Sequence, residues 1–295
     1  MRRKWPVLTA AIPLAFGWAL VAAHPVAAAV RDGFPGPGGQ VQPGGPVSQL
    51  GQLSQPGEDF PGAPTGIVTP QPSSSQSATG GSQDTSVSSS NWAGYAATGA
   101  SGSFTSVSAG WTQPTANCAA GSQYGAFWVG LDGYASKTVE QIGTEADCTG
   151  PTPKYYAWYE VYPGAGVNFT NPVSPGDVFT GTVTSEGNGT FQLVLKDTTQ
   201  NWTQTINATE AGADLSSAEA IVEAPSSTSG SSSSVLPLTN FGSVGFTGVT
   251  VNGKSMDTLN PVQITMPDTS VGDMASDGSF SVNYTGTGFA QWSGF

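Results

Sequence analysis

Histidine is nearly absent from this chain of 295 residues, and its absence excludes several kinds of chemistry. The only histidine, His24, lies in an N-terminal apolar segment. Beyond that segment no imidazole is available for a Ser-His-Asp triad, a Cys-His pair or a histidine-ligated zinc site. We therefore expect no metal and no cofactor.

The N-terminal segment has the pattern of a secretory signal peptide. A basic start (Arg2, Arg3 and Lys4) precedes a long apolar run, and small residues that suit cleavage follow at 27–29. This order predicts a signal peptide over residues 1–29 and a secreted, extracellular protein. A single membrane anchor is the alternative, and no later apolar run approaches the length of a spanning helix.

Cysteine is almost as scarce as histidine. Cys118 and Cys148 are the only two, and an even pair in an exported chain predicts one disulfide. A free catalytic thiol is the weaker interpretation of the same two residues.

Charged and large apolar residues are sparse in the segment that follows the predicted signal peptide. Residues 30–85 are rich in glycine, proline, glutamine and serine. Such a composition buries too little apolar surface to offset the entropy of ordering. We predict a disordered propeptide or linker over 30–85, and one folded domain over 86–295.

Basic residues are rare in that domain. It has four lysines and no arginine against sixteen acids, and the whole chain has a formal net charge of −12. This balance disfavours nucleic acid and anionic membranes as partners. In acid, where carboxylates become neutral, the domain would carry little charge of either sign, which suits a protein that works at low pH. We expect a monomer.

Short alternating runs fill the domain and predict about a dozen strands. Glycine-, asparagine- and serine-rich turns separate them. A short helix is the alternative only at 208–224, and the serine-rich 226–234 predicts a flexible loop. Strands without helices indicate an all-β fold, a sandwich of two antiparallel sheets of the jelly-roll or lectin-like kind.

Successive side chains of a strand point to opposite faces, and this alternation puts aromatic and polar side chains on one surface. Trp128 and Asp132 share a face of their strand, as do Tyr156, Trp158 and Glu160 of theirs. The pattern favours a concave groove with a few polar groups. Aromatic residues that only pack, or a carbohydrate-binding face, fit the same alternation, and a glycoside hydrolase is a further alternative.

Five motifs occur in order along the domain and resemble the glutamic peptidases, the eqolisin family of secreted acid proteases. They are "SNWAGY", "FWVGLDG" followed by "TVEQIG", "AWYEVYP", "AEAIVEAP" and "NFGSVGFT". The resemblance implies a secreted, acid-active endopeptidase that hydrolyses polypeptides, on a sandwich of two antiparallel sheets.

The family's functional residues match positions in these motifs. Its catalytic glutamine falls on Gln141 and its catalytic glutamate on Glu223. The resemblance implies that Glu223 activates water as a general base and then acts as an acid, while Gln141 stabilises the oxyanion. The resemblance also implies Trp128, Asp132, Trp158 and Glu160 as groove residues. Alternation adds Tyr156 on the face of Trp158, and we add Glu219 as a rim residue or a solvated one.

The chain departs from the family pattern in places that concern substrate selection. Tyr156 stands where fungal members carry an aspartate, and Ala224 and Pro225 stand where they carry acidic and aromatic residues. Ala220 replaces an aromatic residue. These differences leave the implied dyad intact and put the subsite preferences in doubt.

Overall fold

The computed structural model describes residues 85–229 and 232–286. The predicted signal peptide and residues 30–84 of the predicted propeptide lie outside the described residues. Eighteen strands and one 3₁₀ helix, Met256–Leu259, are present among the described residues. The strands are β1 (Ser86–Ser88), β2 (Trp92–Thr98), β3 (Ser106–Thr112), β4 (Ala126–Leu131), β5 (Val139–Asp147), β6 (Lys154–Tyr162), β7 (Val167–Asn168), β8 (Val178–Gly187), β9 (Thr190–Asp197), β10 (Trp202–Thr209), β11 (Ser217–Glu223), β12 (Ser226–Ser229), β13 (Ser232–Val235), β14 (Ser243–Val251), β15 (Lys254–Ser255), β16 (Val262–Thr265), β17 (Thr269–Val271) and β18 (Phe280–Tyr284).

Two large sheets hold most of these strands. The first sheet has the order β1-β16-β2-β11-β4-β5-β6-β7, and the second has the order β10-β9-β8-β3-β14-β18-β17, with β15 beside β14. All pairings in them are antiparallel except that of β1 with β16. The predicted all-β sandwich is confirmed. Among the described residues, no helix is long and apolar enough to span a membrane.

The core lies between the two sheets. Large apolar side chains from both inner faces form one buried cluster. Gly181 of β8 lets the sheets approach closely, because a Cβ there would lie 2.9 Å from atoms of both Trp111 and Val129. Trp111 also donates its indole N–H to the Thr144 hydroxyl at 2.9 Å. The second sheet, whose outer face is polar, thereby supports the strands of the first.

One prediction about local structure was wrong, and one alternative is excluded. The strand β11, which pairs on both sides, takes the place of the helix considered as an alternative within 208–224. The serine-rich stretch forms the hairpin β12–β13 rather than a loop, and a bond from the Leu236 N–H to the Pro225 carbonyl closes its base. Its sequence has no apolar face, so alternation gave no signal for a ladder held by backbone hydrogen bonds.

The predicted disulfide is confirmed. Cys118 and Cys148 are bonded, and 30 residues separate them. We expect the double variant Cys118→Ser/Cys148→Ser to lose ~3–4 kcal/mol of unfolding free energy, because the open chain gains conformational freedom. Denaturant titration at acidic pH measures this loss. An unchanged denaturation midpoint would show that the disulfide does not reduce the conformational freedom of the unfolded chain.

A buried carboxyl group in the core gives the fold a pH dependence. Glu140 of β5 faces the inner side and is fully buried. Burial raises its pKa to about 9, and the charge of Asp132 adds to the effect, with the Thr138 hydroxyl opposing it. Between the unfolded value of about 4.3 and this native value, the native state holds a proton that the unfolded chain has lost.

The contribution of Glu140 to stability is therefore full below about pH 4.3 and is lost as the pH rises towards 9. We expect the melting temperature to fall between pH 4 and pH 8. The isosteric variant Glu140→Gln should lessen that fall, because a carboxamide does not titrate. Thermal unfolding of both proteins across this pH range measures the difference, and parallel curves would contradict the assignment.

Candidate active site

The outer face of the first sheet, called the site face below, carries the predicted catalytic side chains. Glu223 ends β11 and pairs with Ala126 of β4. Gln141 of β5 pairs with Gly130 of β4 on one side and with Glu160 of β6 on the other. Because alternate residues of neighbouring strands share a face, all these groups lie on the same side of the sheet.

A tryptophan lies between the two predicted catalytic residues. Trp128 of β4 pairs with Gly143 of β5. A Cβ at Gly143 would lie 2.6 Å from the Trp128 Cβ, and one at Gly130 would lie 2.9 Å from the indole ring. The indole therefore packs over a floor that only glycine allows. Trp92 meets it edge-on, with the ring centroids 5.1 Å apart.

Two donors hold the Glu223 carboxylate. The Trp128 indole N–H donates to Oε2 at 2.9 Å, and the Asn91 side-chain amide donates to Oε1 at 3.2 Å. The Ser89 hydroxyl in turn accepts a bond from the Asn91 backbone N–H at 3.3 Å. Glu223 is only 4% exposed. Donated hydrogen bonds stabilise a carboxylate in such surroundings.

A neighbouring carboxyl orients the Gln141 carboxamide. Nε2 of Gln141 donates to Oε2 of Glu160 at 2.8 Å, and both side chains are buried. Burial and then the charge of Glu223 raise the pKa of Glu160 well above its usual range. Glu160 is therefore neutral in acid. Because the charge of Glu223 contributes to this pKa shift, the carboxyl group that orients Gln141 is electrostatically coupled to Glu223.

The strand register sets the spacing of the predicted dyad. Glu223 and Gln141 are two strands and four residues apart, so their backbones are separated by ~13 Å along the strand direction. Glu223 is bonded to Asn91 and Trp128, whereas Gln141 is bonded to Glu160. The two side chains share a face and lie on either side of the Trp128 indole.

Two of the residues predicted to bind substrate are buried at the opposite end of β11 from Glu223. Both Asp132 oxygens accept bonds from the backbone of 214–216, at 2.8–3.0 Å. Glu219 is fully buried rather than solvated. Burial raises its pKa well above the usual range, the charges of Asp132 and Glu140 add, and the Ser217 hydroxyl opposes.

The other groove residues lie on β6. Trp158 is buried, and its indole N–H has no acceptor among the described residues. Tyr156 is half-buried on the same face. Burial raises the pKa of the Tyr156 hydroxyl, and the charges of Asp147 and Glu145 add to that effect. Both aromatic side chains therefore border the polar groups of the site face.

Glu145 and Asp147 are site-face residues that the sequence analysis missed. They continue the alternation of Gln141 and Gly143 along β5. Glu145 pairs with Ala126, the residue that also pairs with Glu223. The motif resemblance ended at Gly143, whereas the period of two, extended to the end of the strand, would have found both acids.

We expect Asp132→Asn to destabilise the loop that leads into β11. An asparagine offers one acceptor oxygen where the carboxylate serves three N–H groups, and its amide would face donors. Loss of about 2 kcal/mol or more in unfolding free energy should result, as for a buried charged hydrogen-bond partner. Urea denaturation checks this at pH 4, with exposed Asp273→Asn as a control. Equal unfolding free energies for the two variants would contradict a stabilising role for the hydrogen bonds between Asp132 and the backbone of 214–216.

Comparisons with known proteins identify the family of this chain. The Peptidase A4 family matches residues 90–287. The chain is similar to scytalido-glutamic peptidase, solved with a transition state analog inhibitor (27% identity, TM-score 0.58). It is also similar to SCP-B of the eqolisin family, solved with the tripeptide Ala-Ile-His (27% identity, TM-score 0.54). Each alignment covers 66% of this chain and 98% of the other.

Curated protein sequences gave no match to this chain. The family match nevertheless spans more than half of its length, and the similar structures are covered almost completely. The resemblance drawn from the five motifs is confirmed. The chain belongs to the Peptidase A4 family and is a glutamic-type endopeptidase.

Proposed function

We propose that this endopeptidase is secreted, works in acid, and cleaves polypeptides with Glu223 as general base and acid and Gln141 as oxyanion donor. The observation that carries the proposal is the pair of N–H donors on the Glu223 carboxylate. Two side-chain N–H groups donate to the Glu223 carboxylate, whereas one donates to Glu160 on the same face. Glu223 is therefore the carboxyl group best placed to be ionised while its neighbours are neutral.

The reaction needs one proton to move twice. The Glu223 carboxylate takes a proton from water as the water oxygen bonds to the peptide carbonyl carbon. The resulting carboxyl group then gives that proton to the peptide nitrogen as the carbon–nitrogen bond breaks. Asn91 and Trp128 donate to Glu223 and fix the direction of both transfers.

Gln141 supplies a donor that does not titrate. Its Nε2 carries two hydrogens, and the bond to Glu160 uses one of them. The second can donate to the carbonyl oxygen as negative charge develops there, which is the role of an oxyanion donor. Because Glu160 is neutral in acid, it orients the amide without placing a negative charge beside the oxyanion.

The charge pattern supports work in acid. Burial raises the pKa values of Glu160 and Glu219 well above the usual range. These groups need protons to stay neutral in their buried positions. The signal-peptide pattern of residues 1–29 supports secretion, and the composition of 30–85 supports a propeptide. The family match and the two similar structures described above are peptidases, and they give no support to the carbohydrate-binding and glycosidase alternatives.

The decisive test compares acid proteolysis by wild type and by two single variants. Gln141→Ala should lower kcat by about 10²–10³, the usual cost of one oxyanion donor. Glu223→Gln should remove measurable activity, because a carboxamide cannot accept the proton of water. Hydrolysis of a denatured protein at pH 2–5 measures both effects.

The matched control for that test is Glu186→Gln, which changes an exposed acid near the end of β8. Its activity should equal that of wild type. Near-ultraviolet circular dichroism shows whether each variant keeps its folded core. A folded Glu223→Gln protein with undiminished proteolysis would overturn the assignment.

A further inference from the structure

Beside Glu223 the site face continues into a second set of polar residues. Glu145 lies two strands from Glu223, with only the small side chain of Ala126 between them. One step further along β5, Asp147 pairs with Lys154 of β6. Tyr124 precedes β4 on the same face, and Tyr156 pairs with Glu145. We call Glu145, Asp147, Tyr124 and Tyr156 the acid pocket.

The two acids of this pocket are buried without protein donors. Glu145 is 1% exposed and Asp147 is 3% exposed. Among the described residues, no N–H group and no hydroxyl donates to either oxygen of Glu145 or to Oδ1 of Asp147. The two carboxyl groups are close enough to hydrogen-bond to each other when one of them is protonated. Buried acceptors of this kind normally have partners.

The aromatic residues of the pocket are more accessible than its acids. Tyr124 and Tyr156 are each half-buried, so they form the rim while Glu145 and Asp147 form the floor. Burial raises the pKa of both tyrosine hydroxyls, and the charges of Asp147 and Glu145 add to the effect. A polar floor under an aromatic rim suits a long side chain with a charged end.

We propose that the acid pocket is a substrate subsite that binds the lysine or arginine side chain of a residue close to the cleaved bond. This inference rests on the proposed function, because it takes Glu223 as the centre of the reaction. An ammonium group brings three donors and a guanidinium five, and the floor offers three oxygens that lack donors. A neutral aliphatic side chain would leave those oxygens unpaired.

Protons compete with such a cation for the pocket. The groups facing Glu145 and Asp147 are Glu223, Lys154 and the two tyrosines. Burial raises the pKa of Asp147 to about 7, although the hydrogen bond with Glu145 and the charge of Lys154 oppose this. Burial and the charge of Asp147 raise the pKa of Glu145 well above its usual range. A bound lysine side chain must displace a proton, so its binding strengthens as the pH rises from 3 towards 6.

The test uses fluorogenic peptides that carry lysine or norleucine at one position at a time on either side of the cleaved bond. kcat/KM is measured from pH 3 to pH 6 for wild type, Glu145→Gln and Asp147→Asn. At one position wild type should prefer lysine over norleucine by about tenfold at the upper end, as for a charge-assisted hydrogen bond. The preference should decrease towards pH 3.

In both variants the ratio of kcat/KM for the lysine peptide to that for the norleucine peptide should shrink towards unity and lose its pH dependence. The control, Glu186→Gln, should keep the wild-type preference. A lysine preference that persists unchanged in Glu145→Gln and Asp147→Asn, or that is missing from every position in wild type, would overturn the subsite. Loss of cleavage for both peptides would assign the acids to structure alone.

Binding measured in the Glu223→Gln protein separates this proposal from the proposed function. Isothermal titration of the same two peptides needs no turnover. If wild type cleaves nothing but the lysine peptide binds more tightly than the norleucine peptide, and Glu145→Gln removes the difference, then the subsite stands and the mechanism fails. If neither peptide binds to any of the proteins, both fail.

Discussion

Carboxyl groups removed from water, with almost no cations to pair with them, are the constraint on which this structure depends. The domain has four lysines and no arginine, and Lys154 lies near one buried acid, Asp147. A buried carboxylate without a partner is costly, and protonation is the remaining way to lower that cost. Protonation of the buried acids therefore stabilises the site face, because it removes charges that have no cationic partner.

The neutral acids are also what makes Glu223 distinctive. Its donors come from β4 and from the residue that precedes β2, and both donors are themselves buried. Glu160 has one recorded donor, and Glu145 has none from an N–H or O–H group. On a face where several carboxyl groups compete for few donors, their distribution decides which one holds a negative charge. Different hydrogen bonding can thus give glutamate side chains on one face different protonation states.

Much of the fold and part of the site could be predicted from sequence. Strict alternation placed Trp128 and Glu160 on a common surface, because a period of two depends only on the strand and not on its neighbours. It could not show which strands are adjacent. The register that brings Ala126 between Glu223 and Glu145 joins segments nearly 100 residues apart, and no local pattern encodes such a pairing.

Other features escaped because their cause is three-dimensional. The Asp132 carboxylate serves a loop more than 80 residues away, so a motif that suggested substrate contact also fits an internal clamp. The hairpin β12–β13 is held by its backbone ladder, and its serines carry no alternation to detect. The burial of Glu219 depends on how the strands curve and pack, which alternation does not report.

The glycines of β4 and β5 connect this constraint to the geometry of the reaction. Trp128 can lie against the sheet only because Gly130 and Gly143 lack side chains, and in that position its N–H reaches Glu223. An alanine at Gly143 would move the indole and withdraw one of the two recorded donors from the carboxylate. The hydrogen bonding of the proposed catalytic carboxylate therefore depends on how one indole packs against two glycines.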